Sequence, residues 1–496
     1  MNRLDLPVGW IKSKLSNVTE PRGEKASPSE FPDLPFLGMD HVEAQTTRIL
    51  GSVSAGSMKS SAARFYTGDV LYGRLRPYLN KVAQPAFDGL ASAEFIVFPD
   101  TEITTSKFLK FRLNAADFVS FASHLNEGDR PRVNFEQIGE FEILVPPINE
   151  QHRIVAKIEA LFSELDKGIE NFKTAREQLK IYRQSLLKHA FSGKLTEQWR
   201  AEYADKLESA ETLLQRIQTE RQQRYQQQLK DWEAGGKQGS KPKAPKTLPP
   251  LTTEELAELP ELPMEWRWEK NENFLFEVKD GTHDTPKYVQ DGIPFVTQKN
   301  IRNGKLVLDD VSFISEADHL AFSKRSNVQR GDVIISMIGH GRGQCCIVDT
   351  DLIFSIKNVG LFKFFHKLQS NKYLCYYYQS KMGGDLVLAT SKGGAQPFIG
   401  LTELRNWAIP ITSFTEQCKI VEELDSKLSE IDQLDQTIFT ALQQAEALRQ
   451  SILKKAFSGQ LVPQDPSDEP ASVLLERIRA EQAVSDKPKT RKTKHA

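Results

Sequence analysis

Five short segments of this sequence carry side chains of the types that can hold phosphates or read base edges. In LYGRLRPYLNK, Arg74, Arg76 and Lys81 punctuate a β-like run, with Tyr78 interleaved. Two basic residues two apart on a strand share a face, so Arg74 and Arg76 are expected side by side. Glu127-Gly128-Asp129-Arg130-Pro131-Arg132 reads as a Gly/Pro turn presenting Arg130 and Arg132 outward. Gln298, Lys299 and Asn300 end the strand-like run IPFVTQKN, and Arg342 sits in GHGRGQ, a loop with three glycines. Ser391-Lys392-Gly393-Gly394-Ala395-Gln396 is a small-residue loop. Arg and Lys neutralise phosphates, glycine-rich turns let backbone N–H groups approach them, and Gln396 has the shape to pair bidentately with adenine. Each segment alone also reads as an ordinary exposed or salt-bridged loop. The signal lies in the set.

Other chemistries lack their residues. No segment reads G-x-x-x-x-G-K-[ST], which excludes that type of NTP site. No glycine-rich turn links a strand to a helix in dinucleotide-binding fashion, and no Asn-Pro-Pro-aromatic segment of the amino-methyltransferase kind occurs. The nine histidines are scattered, without HExxH or a paired Cys/His set. Asp425-Ser426-Lys427 could be half of a nuclease motif, but it lies in a helical pattern without an upstream Pro-Asp and reads as a solvated helical face. The chain is expected to be non-catalytic, with no cofactor and no metal of its own.

Charge does not decide between partners: net charge is −1, so any polyanion surface must be a local patch. Cys345, Cys346, Cys375 and Cys418 have neither zinc-knuckle nor disulfide-framework spacing, which suits a reducing, cytoplasmic setting. No signal core opens the chain, and no apolar run nears the ~18 residues of a membrane span.

The elements that must position these loops come in duplicate. Residues 183–195 read RQSLLKHAFSGKL and residues 449–461 read RQSILKKAFSGQL, identical at ten of thirteen positions at an offset of 266. The echo continues in Leu6-Pro7-Val8-Gly9-Trp10 with Leu262-Pro263-Met264-Glu265-Trp266, and in Gly68-Asp69-Val70 with Gly331-Asp332-Val333. It extends to Glu150-Gln151 with Glu416-Gln417, and to LLQRI at 213–217 with LLERI at 474–478. Each half therefore predicts a mixed globular domain, a long helix and a short amphipathic helix. The helices match closely and the domains only at points, so the helices share a role while the domains differ.

The first long helix is predicted after Pro146-Pro147, starting near Asn149. Its stripe is Ile154, Ile158, Leu161, Leu165, Ile169, Phe172, Ala175, Leu179, Tyr182 and Leu186, and Gly193 caps its end. The second follows Pro410 with Ile420, Leu424, Leu428, Ile431, Leu434, Ile438, Ala441, Ala445, Leu448 and Ile452, stopping near Gly459. These heptad-like stripes, each on a helix of roughly 60 Å, predict that the helices pair antiparallel as a coiled coil. The alternative is that each packs on its own globular domain or on another subunit. Residues 203–233 predict a polar helix, 235–250 a Gly/Pro/Lys linker, and the end after Gln482, with Lys487, Lys489, Arg491, Lys492 and Lys494, a basic tail.

The doubled AFSGKL and AFSGQL, LKHAFSGKLTEQWR, the LPxxW starts at Leu6 and Leu262, PPINEQHRIV at Pro146–Val155, DGTHDTPKYVQDGIPF at Asp280–Phe295 and LLERIRAEQ with its basic tail resemble one family. It is the specificity subunit of Type I restriction–modification enzymes, and the resemblance covers essentially the whole chain. It implies an α+β fold with a pseudo-two-fold repeat: two mixed α/β target-recognition domains separated by two long antiparallel coiled-coil helices. Boundaries follow at 1–149 and 264–415 for the recognition domains and 150–194 and 416–460 for the helices. The polar helix and linker take 195–263, and the short helix and tail 461–496. Implied partners are double-stranded DNA with a bipartite target, two methyltransferase subunits and restriction subunits. S-adenosylmethionine, ATP and Mg belong to those partners. One departure stands out: residues 203–250 are long and rich in Gln and Lys. The rival readings are a coiled-coil protein adaptor and a fused enzyme acting on DNA itself.

Overall fold

The computed structural model describes residues 6–339, 341–394 and 397–485. It forms two compact units: Met1–Thr174 with Ile438–Ala496, and Ala175–Thr437. Each unit thus holds one globular domain and a part of each long helix, Ile148–Phe191 and Phe414–Phe457.

In the first unit, strands Lys25–Ala26, Ala62–Phe65, Gly89–Ala91, Pro35–Leu37 and Val53–Ser54 form a five-stranded sheet in that order. Val82–Ala83, Val70–Gly73 and Phe95–Phe98 form a three-stranded one. Fully buried Tyr72, Phe98, Phe108 and Phe118 centre a core that also takes Ile154 and Ile158 from the first long helix and Leu453 and Phe457 from the second. The second unit carries a four-stranded sheet, ordered Glu277–Asp280, Val359–Lys363, Val333–Ser336 and Cys345–Ile347. Its three-stranded sheet runs Ser312–Ile314, Ile293–Val296, Ser355–Ile356. Phe274, Tyr373, Tyr377 and Trp407 pack there with Phe191, Ile420 and Leu424.

Each domain closes on itself by the same device. The first and last strands pair antiparallel, with Ile11 opposite Val145 in one unit and Arg267 opposite Ile411 in the other. The chain then turns into the long helix, where the repeated Glu-Gln pair is buried. Glu150 accepts the Trp10 indole N–H at 3.0 Å, and Glu416 accepts that of Trp266 at 2.8 Å. Gln151 Nε2 donates to the Pro146 carbonyl at 3.1 Å, and Gln417 Nε2 to that of Thr412 at 2.9 Å. The other long helix ends against the same corner. Gly193 and Gly459, at φ +74° and +73°, adopt the left-handed conformation that favours glycine. A Cβ on Gly193 would collide with the Pro263 ring, and one on Gly459 with that of Pro7.

The trailing helices dock alike: Ala210 N–H donates to the Glu265 carbonyl at 3.1 Å, and Ala471 N–H to that of Gly9 at 2.9 Å. The Gly-Asp-Val pair heads Val70–Gly73 and Val333–Ser336, each aspartate accepting at 2.8 Å the N–H three residues back. Asp69 then binds Arg22 through two hydrogen bonds, while Asp332 binds Lys363 at 2.6 Å in a buried pair.

Within each unit the segments of the two long helices run antiparallel, and both packing modes raised by the sequence occur together. In the second unit Arg176 reaches Asp435 at 2.7 Å and Arg183 reaches Asp432, so partners descend one helix as they climb the other. In the first, Arg449 binds Asp166 and lies 4.4 Å over the Phe162 ring. Asp166 and Asp432, and Arg183 and Arg449, are each 266 apart, so one ion pair is made twice with the roles exchanged. The apolar stripe is not wholly consumed, because Phe172, Tyr182, Leu434 and Leu448 stay exposed. Asp425, read as solvated, binds the Lys372 ammonium at 2.7 Å and accepts from the Tyr376 hydroxyl, fixing helix to domain.

No helix among the described residues is long and apolar enough to cross a membrane. The four cysteines are free, and no group of three metal-ligating side chains occurs among the described residues.

Candidate nucleic-acid interface

In the first unit the expected strand stops at Gly73, and the chain turns sharply. Arg76 stands at φ +53°, heading a short 3-10 turn at Pro77–Leu79. Arg74 and Arg76 are therefore not two residues of one strand, which corrects the shared-face expectation. The chain turns there because Arg76 N–H donates to the Pro131 carbonyl at 2.7 Å, and Leu75 bridges Arg132. That bridge brings two separate sequence segments together. Arg132 meets Glu94 at 2.5 Å and Arg74 approaches its other oxygen at 3.9 Å, so one carboxylate faces two guanidiniums. Arg130 is exposed at the turn, as expected. Lys81 is half-buried with its ammonium on the Met39 carbonyl. It braces the fold rather than facing solvent.

Three loops of the second unit converge. Gly339 N–H donates to the Pro397 carbonyl at 3.0 Å and Ile338 bridges Phe398, joining the glycine-rich loop to the small-residue loop. Arg342 Nε donates to the Ser391 hydroxyl at 2.7 Å and its Nη1 to the Gly339 carbonyl at 3.1 Å. Exposed Lys392 pairs with Glu403, and that hydrogen bond foremost holds the Glu403 carboxyl below its usual range. Gln298 lies beside Gly339 in a cleft of about 270 Å³, shared with Tyr288, Lys299, Lys357 and Asn358. Its Oε1 is buried with no hydrogen-bond partner among the described residues.

Asn300 behaves differently. It is 3% exposed, its Nδ2 donates to the Val307 and Asp310 carbonyls, and its Oδ1 accepts from Thr297 N–H. That amide is committed to holding the loop. Lys299 is exposed beside it. Gln396 and the basic-tail residues Lys487, Lys489, Arg491, Lys492 and Lys494 lie outside the described residues.

Sequence reasoning alone passes over His283, Lys357 and Asn358. His283 hydrogen-bonds Asn358 at 2.8 Å and Asp280 at 3.1 Å, and Asp280 also binds Arg325 at 2.6 Å. The signal is present in DGTHDTPKY, but nothing local tells that Thr282 bridges Lys357 across 75 residues of chain.

A family model described as the Type I restriction modification DNA specificity domain matches residues 61–172 and 273–444. The chain belongs to that family. It is similar to the Type I restriction enzyme EcoDI specificity subunit of Escherichia coli, 32% identical over 222 residues, which are 44% of this chain and 50% of that one. The EcoKI specificity subunit of Escherichia coli (strain K12) is 21% identical over 439 residues, covering 82% and 77%. The chain thus spans about half the length of the first of these relatives and more of the second. A solved structure described as the basis of complex assembly and conformational transition of the type I R-M system has the same fold. Its TM-score is 0.67 at 19% identity, over 92% of this chain and 99% of that one.

Proposed function

We propose that this chain is the DNA-specificity subunit of a Type I restriction–modification complex, with no catalytic step of its own. The observation that carries the reading is the convergence, within each unit, of polar loops far apart in sequence. Arg74, Arg76, Arg130 and Arg132 gather in one unit; Gln298, Lys299, Arg342, Ser391 and Lys392 gather in the other. Each unit reads one half of a bipartite duplex target. Lys392, Lys299 and Arg130 hold phosphates, which position the protein without choosing a sequence. Gln298, whose buried acceptor oxygen has no partner inside the fold to hold it there, reads a base edge once its amide turns outward into the cleft, adenine being the base that matches this pattern. The antiparallel helices set the spacing of the half-sites.

The same helices dock two methyltransferase subunits, which bring S-adenosylmethionine and methylate adenine in each half-site. Restriction subunits, with ATP and Mg, join through them. Tyr182 and Leu448, 266 apart and 50% and 51% exposed, are equivalent apolar positions suited to two copies of one partner. Free cysteines agree with a cytoplasmic setting. The test is to map genomic methyladenine in cells with and without this chain. A bipartite motif should disappear on deletion, and an unchanged methylation map refutes the assignment.

A further inference from the structure

The insertion between the halves builds a feature that the recognition loops do not use. The middle helix, Ala210–Ala234, buries Leu213, Leu214, Ile217 and Arg221 in the second unit's core. Beyond Arg221 its side chains are exposed, except half-buried Tyr225, Leu229 and Trp232 on one face. The chain then doubles back along that face. Trp232 Nε1 donates to the Gly239 carbonyl at 3.4 Å, and Arg221 Nη2 donates to the Lys246 carbonyl at 3.0 Å. Leu248 and Asn273 exchange hydrogen bonds at 2.8 and 3.1 Å, tying the return to the domain. The result is a finger roughly 20 Å long, from the 1.5 Å rise per helical residue.

Its charge is one-sided. Residues 221–246 hold seven Lys and Arg against only Asp231 and Glu233, in a chain whose net charge is −1. Lys237, Lys241, Lys243 and Lys246 are exposed on the returning segment and make no ion pair within 4 Å among the described residues; Lys246 alone lies near a carboxylate, opposing the burial that raises the Glu272 pKa. At its root, a cleft of about 220 Å³ is lined by Lys243 and Lys246 with Glu272 and Glu277, and by Arg224, which pairs with Glu220 at 3.1 Å and whose guanidinium lies 4.9 Å over Phe276 and 4.8 Å over Phe365; the unopposed charge is therefore on the returning segment, not in the cleft.

Which polyanion fits follows from what the finger lacks. Protein interfaces are anchored by exposed aromatic or large apolar residues. Here Trp232 is turned under the return, and residues 235–247 are only Gly, Lys, Gln, Ser, Pro, Ala and Thr. Spaced cations without an apolar anchor match duplex DNA, which offers a charge every ~1.7 Å of axis and whose binding is driven by counterion release.

We propose that this finger is a sequence-independent site for the phosphodiester backbone of duplex DNA, separate from the loops that choose the target. It rests on the reading of the chain as a DNA-specificity subunit. The experiment compares the full-length chain with a Lys237→Gln/Lys241→Gln/Lys243→Gln/Lys246→Gln variant, titrating cognate and scrambled duplexes at several salt concentrations. All four side chains are exposed, and a matching thermal melt verifies the fold. Affinity for both duplexes should fall by the same factor, and the log–log salt slope should drop by about one for each phosphate no longer neutralised, up to about four. Unchanged slope and unchanged scrambled-duplex affinity overturn the proposal. If methyltransferase-subunit binding falls instead, the finger's partner is an acidic protein surface and the proposal fails. A selective loss of cognate affinity shows that the finger reads bases and is equally fatal. Failure of the parent reading looks different: the unmodified chain would then not discriminate between the duplexes at all.

Discussion

Gln298 and Asn300 are two residues apart and chemically similar, yet the structure gives them opposite duties. Gln298 has a buried oxygen with no internal partner among the described residues, so Gln298→Ala should change stability by no more than about 0.5 kcal/mol. It should also cost about 1–3 kcal/mol of base discrimination, read as the affinity ratio between cognate and substituted duplexes. Asn300→Ala should do the reverse: it removes a buried amide that holds two part-buried carbonyls and the Thr297 N–H, costing about 1–2 kcal/mol in denaturant unfolding. Sequence could nominate both side chains but not separate them, because Asn300's partners Val307 and Asp310 come from a turn that only the folded loop closes. The bracing role of Lys81 is hidden for the same reason.

Glu150 supplies a pH test. Burial, opposed by hydrogen bonds from Gln464 and Trp10, raises its carboxyl pKa. A folded pKa above the unfolded one gives stability that is full below the ordinary carboxylate range and is lost as pH rises through the folded value. Glu150→Gln keeps an oxygen for Trp10, so it should flatten that part of the stability–pH curve of the first unit. The two curves, measured by urea unfolding between about pH 4 and 7, should converge at the acid end; parallel curves would refute the assignment.

At the scale of elements, the long helices were legible because apolar residues kept a 3.6-residue period over many turns. The short strands were legible as runs but not in extent: the β-like run at Val70 stops at Gly73, where tertiary contacts to residues 131–132 turn the chain. The doubled ion pair makes a comparison possible within one molecule. Arg449 is 9% exposed and stacked on Phe162, whereas Arg183 is 33% exposed. Arg449→Ala should therefore destabilise its helix pairing by about 1–2 kcal/mol, through the lost stack of a buried guanidinium on Phe162, the released Asp166 being largely exposed. Arg183→Ala should cost under about 1 kcal/mol. Amide hydrogen exchange, read separately for the two units, distinguishes these outcomes.

For the whole molecule, the duplication was visible in sequence, but its use was not. Nothing in LPxxW, Glu-Gln or AFSG says that they meet; the close approach of Pro7 to Gly459 and of Pro263 to Gly193 does. Equivalent surfaces imply equivalent docking. If the helices dock two methyltransferase subunits as proposed, Tyr182→Glu and Leu448→Glu should each remove one of them, and the double variant both, as counted by native mass spectrometry. Loss of both from either single change would show that the two sites are not independent.

The composition of the first unit has a consequence for synthesis. Its core needs Leu453, Phe457 and Leu474, which leave the ribosome long after Phe162. Residues 175–437, by contrast, contain everything their own unit packs. The domain made first must therefore wait with its closing face open while the domain made second finishes. Folding here runs against the order of translation, and the nascent N-terminal domain is the species most in need of a chaperone.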